Sequence, residues 1–176
     1  YLLLVGDPAA IPYEFQYQLD VQYAVGRIAF ETPDQYASYA AGVVAAESGR
    51  IVRPRRAVFF GTRNVDDEAT ALSADYLVAP LASTFAARSA DRWNVQSLVG
   101  AQAGKSRLAA LAGGADVPAL LFTASHGVGF PVGDPRQARH QGALLCQEWP
   151  GPVAHVGELP ETYYYSGDDA RAGGSP

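Results

Sequence analysis

Short, unbroken apolar runs alternate along the chain with stretches of helical period. YLLLV at residues 1–5 closes on Gly6-Asp7-Pro8 and predicts a buried strand ending in a turn. Residues 9–20, rich in aromatics and amides without a clean period, predict an ordered loop. β-Branched and aromatic residues around Gly26-Arg27 predict a second strand over 21–30. Thr32-Pro33-Asp34 then starts a helix over 34–47, with Tyr36, Tyr39, Ala40, Val43 and Val44 on one face. AVFFG at 57–61 predicts a third strand. Asp66-Asp67-Glu68 opens the next helix, acids suiting the positive end of its dipole; Leu72, Tyr76, Leu77 and Leu81 form its stripe, and Pro80 kinks it. Residues 93–99 predict a fourth strand, and 101–111 a helix ended by Gly113-Gly114. VPALLFTA at 117–124 is apolar throughout, as a strand buried on both faces is. A hairpin-like piece follows over 142–148, and the composition of 167–176 predicts a flexible tail.

Strands alternating with helices imply an α/β fold with a mostly parallel sheet covered on both faces. With no repeat and no linker, residues 1–166 read as one domain. In such sheets ligands bind at the carboxyl ends of the strands. Those ends are Gly6-Asp7, Gly26-Arg27, Gly61 to Asn64, and Ser125-His126-Gly127.

Composition narrows the function classes. A net charge of -5 with a single lysine argues against a nucleic-acid backbone binder. No apolar run approaches the roughly 20 residues that cross a bilayer. One cysteine, Cys146, permits neither an internal disulfide nor a Cys-rich zinc module. The absence of methionine and the start at Tyr1 inside an apolar run mark the chain as a piece of a longer protein.

Several constellations compete as chemistry. Gly100 to Ser106 (GAQAGKS) resembles a phosphate loop, but three residues separate its glycines where the motif needs four, so helix initiation explains it better. Asp66, Asp67 and Glu68 suit a metal or a basic side chain; a capped helix start accounts for them without either. His126, His140, Cys146 and His155 match no compact zinc spacing, so no metal and no cofactor is expected. Ser125 beside His126 invites a serine-hydrolase reading, yet neighbours on a strand face opposite ways. His126 is the strongest signal, an imidazole where an apolar strand emerges, followed by Gly127 and Gly129, which let a carbonyl approach the backbone. A structural histidine ending a strand is the competing explanation.

LFTASHGVG, from Leu121 to Gly129, resembles the histidine motif of the caspase-like cysteine peptidases. Within that clan the order of segments is most similar to the gingipain-type peptidases. YLLLVGDPAAIP resembles their opening strand, turn and Ile-Pro, and VGRIAFETPDQYASY their Gly-Arg strand followed by a helix. The resemblance covers almost the whole chain. It implies a three-layer α/β/α caspase-like fold and a cysteine endopeptidase acting on protein or peptide substrates through a Cys/His dyad. His126 would be the catalytic imidazole, and the N–H of Gly127 part of the oxyanion hole. It also implies a secreted or cell-surface setting, by analogy.

The chain departs from the family pattern at the nucleophile. Cys146 lies 20 residues after His126, behind Ala143-Leu144-Leu145, too close for the crossover that a parallel neighbour strand needs. The nucleophile is therefore expected beyond Pro176, with Cys146 as the alternative; Arg136, Arg139 and His140 are its basic neighbours in sequence. As it stands the piece is expected to be inactive. By the resemblance, Asp66 or Asp67 lies roughly where a pocket acid sits in a gingipain-like layout, without carrying that role over. The non-enzymatic alternative is a caspase-like scaffold or interaction domain without a nucleophile.

Overall fold

The computed structural model describes residues 1–89, 92–113 and 116–173. The chain forms two compact units, Tyr1–Val52 and Arg53–Pro176.

In the first unit, β1 (Leu2–Val5) pairs in parallel with β2 (Val25–Ile28), Leu2 opposite Val25. Between them α1 (Tyr13–Asp20) occupies part of the segment read as a loop. Its period was hidden because the contacts it makes are polar and aromatic: Arg27 Nε donates to Gln16 Oε1 at 3.0 Å, and the guanidinium lies 5.2 Å from the Tyr13 ring centroid. α2 (Pro33–Glu47) forms as predicted, and Gln35 Oε1 accepts the N–H of Thr32 and of Glu31 ahead of it.

The second unit is a mixed α/β structure. Its sheet is parallel, in the order β4 (Asn94–Val99), β3 (Arg56–Gly61), β5 (Leu120–Ala124). Alternate residues of β3 feed two cores, as the two-residue period of a strand dictates. Val58 and Phe60 pack with Leu108 and Leu111 of α5 (Lys105–Ala112). Ala57 and Phe59 pack with Val78 and Ala82. Those two residues belong to one helical run, α3 (Glu68–Ser73), a π-helical turn (Ala74–Val78) and α4 (Ala79–Ser89). The π turn precedes Pro80, whose missing N–H and ring would break regular α geometry there.

The strand buried on both faces is therefore β3, not β5. β5 is partly exposed along its length, because among the described residues it pairs with β3 alone. Its other edge carries unpaired backbone groups.

After β5 the chain builds a small layer from α6 (Gln137–His140), β6 (Leu144–Leu145), β7 (Tyr164–Tyr165) and α7 (Gly167–Gly173). β6 pairs antiparallel with β7, so the expected local hairpin finds its partner some 20 residues later in the chain. Residues 167–173 of the expected tail are helical; 174–176 lie outside the described residues. Carboxylates hold α7 in place. Asp168 accepts from His140 Nε2 at 3.0 Å and Arg139 at 2.8 Å, while Asp169 takes Lys105 Nζ at 2.9 Å and the N–H of Ser166 at 2.8 Å.

These contacts make this layer acid-sensitive. Hydrogen bonds from His140 and then Arg139 hold Asp168 below the usual aspartate value. For Asp169, burial pushes upward, but Ser166 and Lys105 outweigh it. Arg136 brings Asp134 down to about 2. Carboxylates depressed in the folded state contribute stability that is complete above their unfolded value and disappears as pH falls through the folded one. The melting temperature should thus hold to about pH 4 and drop between about pH 4 and 2. Circular dichroism melts across this range check it; Asp168→Asn should flatten the drop, and an unchanged slope would refute the assignment.

Candidate active site

The parallel register brings the ends of β3 and β5 side by side. Gly61 is opposite Ala124, and the N–H of Thr62 donates to Ala124 O at 3.2 Å. The loop leaving β3 and the His126 loop leaving β5 are thereby neighbours. His126 Nε2 lies 2.7 Å from Asp67 Oδ2, joining residues 59 apart in the chain.

Asp67 occupies the N-cap position of α3, as the acidic helix start suggested, but its side chain makes no capping bond to the helix backbone. Its Oδ2 instead accepts the Thr70 hydroxyl at 3.0 Å and faces His126. Burial pushes the Asp67 carboxyl up, yet hydrogen bonds from His126 and Thr70 outweigh it and leave the group below its ordinary value. It is ionised at neutral pH and can only accept. Nε2 of His126 therefore carries the proton it donates, and Nδ1 makes no hydrogen bond among the described residues. The imidazole is 44% exposed and the carboxylate 9%, so a shielded anion orients an accessible base.

Other side chains hold this pair. The backbone N–H of Asn64, a nearly buried residue, donates to Thr70 Oγ1 at 3.0 Å, and its Nδ2 donates to Trp149 O at 2.9 Å and Cys146 O at 3.2 Å. The Trp149 ring meets His126 edge to face, centroids 6.1 Å apart. Gln147 makes two bonds to the Arg63 backbone, each at 2.8 Å. Thr62 Oγ1, Asn64 Oδ1 and Trp149 Nε1 are buried and have no hydrogen-bond partner among the described residues, which concentrates unsatisfied polar atoms around the end of β3. An open cleft lined by Asn64, Asp66, Asp67, Glu68 and Val153 adjoins the pair. Asp66 is the non-glycine residue of positive φ (54°) among the described residues, a backbone cost located at this cleft.

The remaining candidates lie elsewhere. Cys146 is fully buried in the core with Phe60 and Leu108; its Sγ lies 3.4 Å from Leu144 O, and burial pushes the thiol up to about 12. A thiol so placed stays neutral and shielded, and does not serve as a nucleophile. His140 is buried between Tyr164 and Asp168, and His155 bonds Glu158 O, so the histidines are not gathered. Among the described residues no group of three or more His, Cys, Asp or Glu is placed to hold a metal ion. Ser125 directs its hydroxyl to His126 O at 3.3 Å rather than to the imidazole. In the loop resembling a phosphate motif, the Glu148 carboxylate accepts the N–H of Lys105 at 2.9 Å, filling the α5 N-terminus with the protein's own anion. No helix of the described residues is long and apolar enough to cross a membrane.

Sequence reasoning singled out His126 and Asp67 separately and missed the pairing. The signal for it was their common position beyond the ends of two apolar strands. Compared with protein-family models, curated proteins and solved structures, the chain matches none.

Proposed function

We propose that this chain supplies the histidine half of a cysteine peptidase site on a caspase-like α/β fold. The observation that carries the reading is the exposed His126 imidazole at the end of β5, held by the shielded Asp67 at 2.7 Å. The open edge of β5 supports it further. A strand added there, from outside these 176 residues, would bring its carboxyl end beside His126, where a nucleophilic cysteine is required.

In this mechanism the cysteine thiolate attacks the scissile carbonyl carbon, forming the C–S bond while the carbonyl electron pair moves onto oxygen. The N–H of Gly127 donates to that oxyanion. Collapse breaks the C–N bond, and protonated His126 transfers its Nδ1 proton to the leaving amine. His126 then takes a proton from water, which attacks the thioester and releases the thiolate and the acid. Asp67 is a positioning residue throughout. It fixes the imidazole's orientation and stabilises the imidazolium.

Asp67→Asn tests this role. In the protein carrying the nucleophile, kcat should fall by about 10²-fold with KM little changed, because Asp67 touches the imidazole and not the peptide. An unchanged kcat would remove Asp67 from the site.

A further inference from the structure

The segment that follows His126, residues 127–129, presents an edge turned away from its bridge partner. Val128 donates to Ala143 O and accepts from Gly142, both at 2.8 Å, and Leu145 donates to His126 O at 2.9 Å. Gly127 and Leu144 are thus a non-hydrogen-bonded antiparallel pair, and in such ladders alternate residues turn their N–H and C=O away from the partner. By this alternation the N–H groups of Gly127 and Gly129 point outward. Both residues are exposed, and among the described residues neither N–H meets a protein acceptor.

Nothing inside the protein requires glycine at these positions. Neither has a positive φ. A Cβ built on Gly127 would meet only Gly142 Cα, at 4.0 Å, and one on Gly129 only Gln141 Nε2, at 3.9 Å. What the two bare positions provide is close approach from outside.

Beside this edge runs a groove whose apolar lining is Val128, Phe130, Pro131 and Leu159; it continues past Leu159 to Pro160. Its rim carries Asp134, Glu158 and Glu161 against Arg136. The Arg136 guanidinium is committed to Asp134 at 2.7 Å and to Glu158, and lies 4.6 Å from the Phe130 ring centroid. Glu161 is exposed, and its neighbour Lys105 binds its backbone oxygen and Asp169 rather than its carboxylate. The rim is net negative.

We infer that the edge from Gly127 to Gly129 is the substrate track: an extended peptide adds there as a strand, dropping a bulky apolar side chain into the groove. The residue two further along shares that face, about 7 Å on, and meets the acidic rim, so a lysine or arginine fits there. The inference rests on the peptidase reading of His126 and names its substrate class.

The probe is acetyl-Ala-Leu-Ala-Lys-Ala-amide, titrated into the 176-residue chain and followed by amide NMR. The Gly127 and Gly129 amides should shift. N-methylation at the residue whose N–H meets the Gly127 carbonyl should weaken binding about tenfold or more, and methylation at the adjacent residue should not. Leu→Ser or Lys→Glu in the probe should weaken it similarly, and Glu161→Gln should erase most of the lysine preference. His126→Ala should leave binding intact. Shifts confined to other residues, no binding, or indifference to alternate N-methylation would overturn the track. The two readings fail separately. A bound probe with no hydrolysis in the protein carrying the nucleophile keeps the track and removes the peptidase. Hydrolysis lost in His126→Ala, with the Gly129 amide unmoved by the probe and no dependence on alternate N-methylation, does the reverse.

Discussion

Replacing His126 by alanine should lower kcat of the proposed peptidase by about 10²- to 10⁴-fold, the range that a positioned general acid–base contributes. Among the described residues, the imidazole combines exposure with an anionic partner at 2.7 Å at the end of the sheet. In the proposed mechanism its loss removes both proton transfers at once, to the leaving amine and from water. The folded state should be affected little, since the ring is 44% exposed and meets the protein through the Asp67 carboxylate and the edge-to-face Trp149 ring. Peptide hydrolysis measured beside a thermal melt separates the two effects. Full activity in the variant would end the peptidase reading and favour the scaffold.

Gly151→Ala should produce the largest loss of stability. Gly151 is buried with φ of 100°, and a Cβ there would lie 1.8 Å from Val65 O and 2.9 Å from Val65 C. Those are backbone atoms, so no rotamer relieves the clash. The segment 149–151 must separate from 63–65, breaking the 2.9 Å bond from Asn64 to Trp149 O and withdrawing the Trp149 ring from His126. Positive φ alone costs a β-carbon on the order of 1–3 kcal/mol, and with the clash the total should reach about 4 kcal/mol or more. Gly133→Ala is the control: φ is 88°, but nothing lies within 4 Å of its Cβ, so only the conformational cost applies. Urea denaturation of both variants reads the difference. Equal midpoints would show that the Val65–Gly151 approach is not rigid.

What could be read from the sequence follows from how local each cause is. The strands β1, β3 and β4 and the helix α2 announce themselves through apolar runs and a Pro-led helix start. The exchange of roles between β3 and β5 was not legible, because burial on both faces depends on which strands flank a segment. α7 was hidden for a related reason. Its Gly-Asp-Asp start has poor helix propensity, and its stability comes from Lys105, Arg139 and His140, far away in sequence. At the site, His126 stood out as a strand-ending imidazole, while Asp67 read as a cap. Only the parallel pairing of β3 with β5 turns that cap toward the imidazole. Cys146 shows the opposite case: basic neighbours in sequence argued for reactivity, and burial removes it.

In the proposed site His126 serves a cysteine that is not Cys146. This is tested most directly by treating the protein carrying the nucleophile with a peptidyl chloromethyl ketone and mapping the adduct by mass spectrometry. A single adduct on a cysteine outside residues 1–176, formed much more slowly in His126→Ala, is the predicted result. An adduct on Cys146, or labelling indifferent to His126, would contradict it.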